Sequence, residues 1–569
     1  MGVGALPGGG ADTAATPRPA NPTPRSLAEL CDLLTALTSL DLATRDPTVP
    51  RSAGADPTTC DDLGRVLLTG VAQDSRSVVA GDLYVARKGA STHGAAYARQ
   101  AKEAGAVAAL TDPTGAAECR AAGLRTLVVP DPQAVLGEVS AWTYGYPARH
   151  LTLFGVTGTN GKTTTTFLLD AGLRAAGMQT GLLGTVGARV KDQSIRSSRT
   201  TPEAPDVHAL LALMREHGVT HVAMEVSSHA LLYGRVDGMI FDVAGFTNLS
   251  QDHLELHGDM ESYFATKARL FTPGHARRGV INLDDPYGRR LAESVATIPV
   301  VGYSSRGSAD GLQERQEARR PRDAAEHTGG QHVGADWWAT DIAFDVRGDA
   351  SFVLHAPDGA THQVTLDLPG SYNVANAVLA AAMLAESGLD LPTVLPGLAS
   401  ASHPGRMERI WKGQDFVAIV DYAHTPDAIA AVVRAAREWT KGRVIVVFGC
   451  GGDRDPSKRP LMGEAAARYA DVVVVTDDNP RSEDPREIRA AAIEGARRVS
   501  ASSRAAIHDI GGRYEAIRWA LESASAGDTV LVLGKGHEQG QEIDGVVHPF
   551  DDRLVVQEIL SADVGQELT

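Results

Sequence analysis

The stretch from Leu151 to Thr166, LTLFGVTGTNGKTTTT, limits what the rest of the chain can be. An apolar run, Leu151 to Val156, predicts a buried strand. It breaks into a turn carrying Gly155, Gly158 and Gly161, and a helix is expected to open at Lys162. Glycines in such a turn let backbone N–H groups point inward at an anion, and the helix N-terminus adds its positive dipole. Gly158, Thr159, Asn160, Gly161, Lys162, Thr163 and Thr164 therefore form a candidate phosphate cradle, with Lys162 able to reach outer phosphates and Thr163 able to hold Mg²⁺. The spacing is GxxGxxGKTT, and Val156 stands where the commoner GxxxxGK[ST] form has its first glycine. By itself the loop also fits a P-loop phosphotransferase.

At 569 residues the chain is too long for one core, so three to four domains are expected. Abundant Gly and Ala with only 5% aromatic residues suits helices packed closely on sheets, which makes α/β the default class. A formal net charge of -16 argues against an extended nucleic-acid or anionic-membrane surface, which needs clustered Lys and Arg. Cys31, Cys60, Cys119 and Cys450 form no CxxC pair, so neither a metal cage nor a disulfide framework is expected. No apolar run reaches spanning length, and the N-terminus lacks the apolar core of a signal peptide. A cytoplasmic protein without integral membrane association is expected.

Residues 1–26, with Pro7, Pro17, Pro19, Pro22 and Pro24, read as a disordered tail. Residues 27–148 read as a small α/β domain. Within it Asp74, Ser75 and Arg76 precede a strand from Leu83 to Ala86, and the plain reading of that triplet is a turn with a capping Asp. The second domain, 149–402, runs from the loop through RTTPEAPD, where Thr201 is expected to cap a helix with Pro202 at its first position. The strand in HVAMEV brings Glu225 to its C-terminal end, the edge at which an open parallel sheet binds ligands, and a carboxylate there can bind the Mg²⁺ of a nucleotide triphosphate. Asp252, His253, His257 and Lys267 follow in one segment; on spacing alone they are ordinary structural or surface residues. Residues 304–334 read as a mobile insertion. The third domain, 403–569, alternates strand candidates with helices as a second doubly wound unit without GKT. Asp421, Tyr422 and His424, then GCGGDRD, DDNPR and GKGHE, end its four strands, and four polar clusters on one sheet edge outline a crevice.

Together, GTNGKTTTT, MEVSSHAL, FTNLSQDHLELHGDMESYFATKARLF, VDYAHTPDA and FGCGGDRDPSKRP resemble the Mur ligases, the ATP-dependent amino-acid ligases of peptidoglycan precursor synthesis, and within them the MurE type. The resemblance runs from about Val71 to Arg553 and includes the uncommon glycine spacing. It implies three α/β domains: a small UDP-binding domain, a central P-loop ATPase-like mononucleotide-binding domain and a C-terminal Rossmann-like doubly wound domain. It further implies ATP and Mg²⁺ as cofactors. The implied substrates are UDP-N-acetylmuramoyl-L-alanyl-D-glutamate and meso-diaminopimelate, joined through an acyl phosphate by a monomeric enzyme.

Under the same resemblance Asp74 and Ser75 look like a uridine-diphosphate contact, with Ser91, Thr92 and His93 nearby. Thr200, Thr201, Ser227 and Arg235 match positions that hold the muramyl dipeptide, and Tyr233 stands where some relatives carry glutamine. Lys162, Glu225, His253 and Lys267 form the implied catalytic set, with Thr163, Glu225, His253 and Lys267 as metal ligands, His253 and Lys267 at a second Mg²⁺. Lys267 matches a lysine carried as a carbamate (N6-carboxylysine), in which CO₂ turns a cation into an oxygen ligand. Asn376, Arg406 and Asp421 resemble residues that grip the adenine, phosphate and ribose parts of ATP.

The DNPR motif, Asp478, Asn479, Pro480 and Arg481, resembles the signature of ligases selecting diaminopimelate: Arg481 can fork onto a distal carboxylate that lysine lacks. Arg454, Gly534 and Glu538 match further contacts, Glu538 being suited to the distal ammonium. Isolated, DNPR is an Asn-Pro turn. The rival readings are a lysine-adding relative, a folylpolyglutamate- or cyanophycin-type ligase, and a non-catalytic nucleotide-binding scaffold. DNPR disfavours the first and the N-terminal domain the second, while a scaffold would be expected to have lost Lys162, Glu225 or Lys267. Closure of the third domain onto the second is expected in turnover.

Overall fold

The computed structural model describes residues 16–42, 64–89, 91–195, 197, 199–306, 335–401, 404–499 and 505–566. Its N-terminal unit has helix α1 (Leu27–Leu42) and four parallel strands adjacent in chain order, β1 (Gly70–Ala72), β2 (Asp82–Ala86), β3 (Ala108–Thr111) and β4 (Arg125–Val128), followed by α2 (Pro132–Thr143). Every residue of β2 is buried, and its side chains alternate between two cores. Leu83 and Val85 join Leu27, Leu30 and Leu136, while Tyr84 and Ala86 join Ala98 and Cys119.

The disorder expected for residues 1–26 does not extend to 16–26; residues 1–15 lie outside the described chain. Arg18 pairs with the fully buried carboxylate of Asp82, and Asn21 donates from its backbone and side chain to Glu216 of the central unit. A low-complexity composition hides such contacts, because two polar partners distant in sequence leave no periodicity. The expected mobile insertion falls almost wholly on residues 307–334, also outside the described chain.

The central unit is built on an eleven-stranded sheet. Its elements include β5 (Thr152–Thr157), α3 (Lys162–Ala175), β6 (Thr180–Gly184), β7 (Gly187–Val190), β8 (Gln193–Ile195), α4 (Ala204–Glu216), β9 (His221–Glu225), α5 (Ser228–Leu232), β10 (Val243–Phe246), α6 (Met260–Ala268), β11 (Gly279–Asn282), β12 (Val300–Ser304), β13 (Trp337–Phe344), β14 (Ala350–His355), β15 (Thr361–Leu366) and α7 (Ser371–Glu386). The strand order is β8-β7-β6-β9-β5-β10-β11-β12-β13-β14-β15, parallel from β6 to β13 and antiparallel at both edges. From β5 the chain first moves to one side, then returns to place β10 on the other, so the crevice opens at the C-terminal end of β5.

The third unit holds a six-stranded sheet in the order β16-β17-β21-β18-β19-β20. Its elements are β16 (Glu408–Ile410), β17 (Val417–Asp421), α8 (Pro426–Trp439), β18 (Val444–Cys450), α9 (Lys458–Tyr469), β19 (Val472–Asp477), α10 (Pro485–Arg498), β20 (Ala506–Asp509), α11 (Arg513–Glu522), β21 (Thr529–Leu533), the hairpin β22 (Gly540–Ile543) and β23 (Val546–Pro549), and α12 (Asp552–Gln566). Only β16 is antiparallel to its neighbour in the main sheet. Strands β17, β18 and β21 are buried throughout, as their unbroken apolar runs require when helices cover both faces.

Candidate active site

The phosphate loop leaves β5 at Thr157 and enters α3 at Lys162. Gly158 (φ 145°) and Gly161 (φ 88°) occupy backbone conformations that L side chains rarely adopt. A Cβ on Gly158 would overlap Thr247 Oγ1, and one on Gly161 would overlap Asn376 Oδ1, so the loop is pressed between β10 and α7. Asn248 cements it from the β10 side, accepting from Asn160 N (3.0 Å) and donating to Asn160 O (3.1 Å). Thr159 Oγ1 donates to Ser250 O at 3.2 Å and lies 3.3 Å from Tyr263 Oη. Thr164 is half-buried in the first turn of α3.

Thr163 Oγ1 donates to Glu225 Oε2 at 2.9 Å, and Glu225, almost fully buried at the end of β9, also accepts from Thr185 N (2.8 Å) and Thr185 Oγ1 (3.2 Å). The donor set of one hydroxyl and one carboxylate beside a phosphate cradle fits Mg²⁺, which usually takes one or two protein carboxylates and completes its shell with phosphate and water. Among the described residues no group of three or more His, Cys, Asp or Glu forms a cage by itself.

Lys162 and Lys267 meet at the same carbonyl: Lys162 Nζ is 2.9 Å and Lys267 Nζ 2.8 Å from Gly158 O. Burial lowers the pKa of both amines, and Lys267 falls well below its ordinary value, with the neighbouring Lys162 charge acting in the same direction. Two ammonium groups on one carbonyl oxygen repel, which shifts the protonation equilibrium of Lys267 toward the neutral amine. That is the form that can add CO₂.

His253 sits at a left-handed position (φ 52°) between Asp252 (3.3 Å) and Glu255 (3.5 Å), its ring edge-on to His229 at 4.8 Å. The neighbouring His257 packs on Tyr263, whose ring lies 4.7 Å from Lys267 Nζ. The segment from Asp252 to Lys267 thus wraps the loop as one patch, which spacing alone did not indicate.

Thr201 does not cap a helix. Helix α4 starts at Ala204 with Glu203 at its N-cap and Pro205 in its first turn. Thr201 Oγ1 instead donates to Glu225 O (2.9 Å) and accepts from Ser227 N (3.2 Å), so the end of β9 and the residues just after it, rather than the helix amides, take up the hydroxyl. Arg235 donates to Thr201 O at 3.1 Å and pairs with Glu203 at 2.8 Å, and its Nε is buried without a partner. Thr200 Oγ1 lies within hydrogen-bond distance of Thr185 Oγ1, at 3.2 Å, so Thr185 links Thr200 to Glu225. Tyr233 is partly exposed, its ring 5.7 Å from the Arg235 guanidinium.

In the N-terminal unit Asp74 is paired to exposed Arg76 (2.6 Å), and Ser75, buried, donates to Gln100 (2.9 Å). Ser91 and Thr92 are exposed. Both nitrogens of His93 are engaged: Nδ1 accepts Ala95 N, so Nε2 carries the proton and donates to Asp112 at 3.0 Å. Its ring is a fixed corner of the turn beside them.

Asn376 donates to Asn373 (3.1 Å) and accepts weakly from Thr165 (3.4 Å), behind Gly161. Arg406 stacks 4.5 Å over Tyr422, with its Nε buried and unpartnered. Asp421 ends β17 and takes backbone N–H groups from Met407 (2.7 Å) and Ala423 (2.8 Å), which orders the turn carrying Arg406. Lys458 lies 3.8 Å from Asp252, so the third unit already faces the phosphate loop.

Arg481, Asn479, Glu538 and Gly534 converge across the ends of β19 and β21. Arg481 has φ 51° and is locked by a bridge to the β22 strand; its Nη1 donates to Gly452 O (2.6 Å) and its Nε to Glu542 (3.0 Å). A Cβ on Gly451 would lie 3.2 Å from Arg481 Nη1 and 3.6 Å from Arg454 Cγ, so both arginines flank that loop. Pro480 O packs closely against Gly452, and a Cβ on Gly534 (φ 116°) would sit 3.3 Å from Asp478 Oδ2. Sequence reasoning missed Lys535 and Glu542, which hold this group together from below and beside it. The GKGHE cluster carried a signal for the first.

Three family models match the chain: the Mur ligase family catalytic domain over residues 67–144, the Mur ligase middle domain over 156–384, and the Mur ligase glutamate ligase domain over 405–536. A relative from Streptomyces coelicolor, UDP-N-acetylmuramoyl-L-alanyl-D-glutamate--2,6-diaminopimelate ligase, is 50% identical over 503 residues, covering 88% of this chain and 94% of its own. This chain belongs to the Mur ligase family. The relative of the same name from Corynebacterium glutamicum is 46% identical over 89% of this chain and 94% of its own. One from Leifsonia xyli, named UDP-N-acetylmuramyl-tripeptide synthetase, is 43% identical over 95% and 98%. A solved UDP-N-acetylmuramoyl-L-alanyl-D-glutamate--2,6-diaminopimelate ligase is similar with TM-score 0.63 and 30% identity, covering 95% of this chain and all of that one. The Mur ligase fold thus accounts for all three units. No helix among the described residues is long and apolar enough to cross a membrane.

Proposed function

We propose that this Mur ligase adds meso-2,6-diaminopimelate to the D-glutamate γ-carboxylate of UDP-N-acetylmuramoyl-L-alanyl-D-glutamate, consuming ATP. The observation that carries the choice of amino acid is that Asn479 and Arg481 follow the end of β19 and Glu538 follows the end of β21, with Asn479 bonded to Glu538: a guanidinium and a carboxylate on one sheet edge fit a substrate end bearing both carboxylate and ammonium.

The loop from Gly158 to Thr164 receives the phosphates of ATP, with Lys162 at the transferring group and Arg406 approaching from the third domain. Asn376 and Asp421 border the rest of the nucleotide, and Asp74, Ser75, Ser91, Thr92 and His93 border the uridine diphosphate. Thr200, Thr201, Ser227 and Arg235 orient the dipeptide so that its γ-carboxylate attacks the γ-phosphorus and ADP leaves. The resulting acyl phosphate is attacked by an amine of diaminopimelate, held by Arg454, Asp478, Asn479, Arg481, Gly534 and Glu538. Collapse of the tetrahedral intermediate forms the amide and expels phosphate. Mg²⁺ would be held by Thr163 and Glu225, and a second Mg²⁺ by His253 and Lys267 as carbamate, and these ions would supply positive charge at the phosphate oxygens. No protein nucleophile is required, and the chain's residues act by positioning and by preorganised charge. One chain carries every residue of this set, which favours a monomer, and the UDP-linked substrate and ATP place it in the cytoplasm.

Phosphate release with the UDP-muramyl dipeptide and ATP, measured with diaminopimelate, lysine or glutamate in turn, tests the reading. Diaminopimelate should give by far the highest rate. A faster reaction with lysine would overturn the reading of Arg481, and no release with any amino acid would overturn the ligase assignment of this chain.

A further inference from the structure

Lys535 follows Gly534 at the end of β21, and its side chain has no exposed area. Taking an ammonium out of water is costly unless charge and hydrogen bonds replace what it loses. Here they do. An ammonium has three N–H donors, and three acceptors surround this one: Asn479 Oδ1 at 3.1 Å, Glu538 Oε2 at 3.1 Å and Asp478 Oδ1 at 3.4 Å. Asn479 closes the ring by donating through Nδ2 to Glu538 Oε2 at 3.1 Å and by accepting Glu542 N at 3.0 Å. With Oδ1 taken by two donors, the direction of the Asn479 amide is fixed.

The arrangement also balances charge. Lys535 sets one positive charge against the carboxylates of both Asp478 (3.4 Å) and Glu538 (3.1 Å). Lys535 is sealed off while the Glu538 side chain keeps 34% of its area exposed, so Glu538 alone of this pair can meet a solute.

We propose that Lys535 is a positioning residue for amino-acid selection, which sets Asn479 and Glu538 in one geometry and so aims the exposed Glu538 carboxylate at a substrate ammonium. This rests on the amino-acid site assigned above, and it adds a residue that touches no substrate.

The test compares Lys535→Met, close in shape without charge, and Lys535→Gln, which keeps a donor, with the wild-type enzyme. KM is measured separately for the amino acid, ATP and the UDP-muramyl dipeptide, alongside thermal melting and ADP binding. Lys535→Met is expected to raise the amino-acid KM about tenfold or more, the scale of losing hydrogen bonds to charged groups. The other two KM values and ADP binding should stay within about twofold, and Lys535→Gln should recover part of the loss. An unchanged amino-acid KM overturns the proposal, as does a parallel rise of all three values. Failure of both variants to fold also overturns it, by assigning Lys535 to stability of the third domain. If the wild type prefers another amino acid, the substrate proposed above falls, while the split in KM is read with that amino acid. No amino-acid-dependent release by the wild type removes both.

Discussion

Thr163 Oγ1 and Glu225 Oε2, 62 residues apart in sequence, meet at 2.9 Å and tie the first turn of α3 to the end of β9. The bond orients a hydroxyl and a carboxylate toward the same side of the phosphate loop. Glu225→Gln keeps the shape and removes the charge. It should lower kcat for phosphate release by roughly 10²–10³-fold, the scale of losing one preorganised charge-stabilising group, while leaving the thermal melt nearly unchanged. Retention of full activity in Glu225→Gln would remove Glu225 from the metal-binding set.

Burial, and then the neighbouring Lys162 charge, makes Lys267 a weaker base, and a neutral amine is the form that adds CO₂. Carbon-13 NMR of the enzyme equilibrated with labelled CO₂ should show a carbamate signal that is absent from Lys267→Ala. The signal should fade as pH falls and the amine is protonated, and return as pH rises. Lys267→Arg, which keeps a cation and cannot form the carbamate, should lose activity by about 10²-fold or more. A fully active Lys267→Arg enzyme would rule the modification out of the reaction.

Arg481 holds a left-handed turn with two of its guanidinium nitrogens already bonded to Gly452 O and Glu542. Arg481→Lys should weaken diaminopimelate binding by about 2 kcal/mol, or roughly 30-fold in KM, because a point charge cannot replace the planar fork. The KM for ATP should not move. Equal changes in both constants would point to collapse of the loop instead.

His208 is buried in α4, and its Nε2 donates to Asp237 O at 3.0 Å. Burial lowers its pKa from the ordinary histidine value of about 6.5 to about 4. Over that window the unfolded chain binds a proton that the native state does not, so stability is full above pH about 6.5 and falls with acidification, by up to about 1.4 kcal/mol per pH unit. His208→Gln keeps a donor and removes the titration. Its melting temperature should therefore depend less steeply on pH between about 6.5 and 4 than that of the wild type. Parallel slopes would contradict the assignment.

Much of the fold was legible because it is local. The run into Val156, the glycines and the helix at Lys162 form one strand–loop–helix whose residues touch their near neighbours, and the structure reproduces its limits closely. The strands of the third unit were equally plain, since burial on both faces forces unbroken apolar runs. Thr201 misled because Thr-Pro is a strong local helix signal, while its real partners, Glu225 O and Ser227 N, lie across a strand. Arg18 was hidden in a proline-rich tail because an ion pair with Asp82 carries no period.

The sequence by itself determined which segments become strands and helices, and that a phosphate cradle follows Thr157, because these follow from side-chain periodicity and from backbone freedom at Gly158 and Gly161. Only the tertiary structure decided which charges meet. Lys162 and Lys267 share one carbonyl, Thr163 reaches Glu225, and Lys535 lies beneath Asn479 and Glu538, all by virtue of strand order and of how deeply each group is buried. Electrostatic interaction depends on distance in space and on exclusion of water, and neither quantity is written in the spacing along a chain.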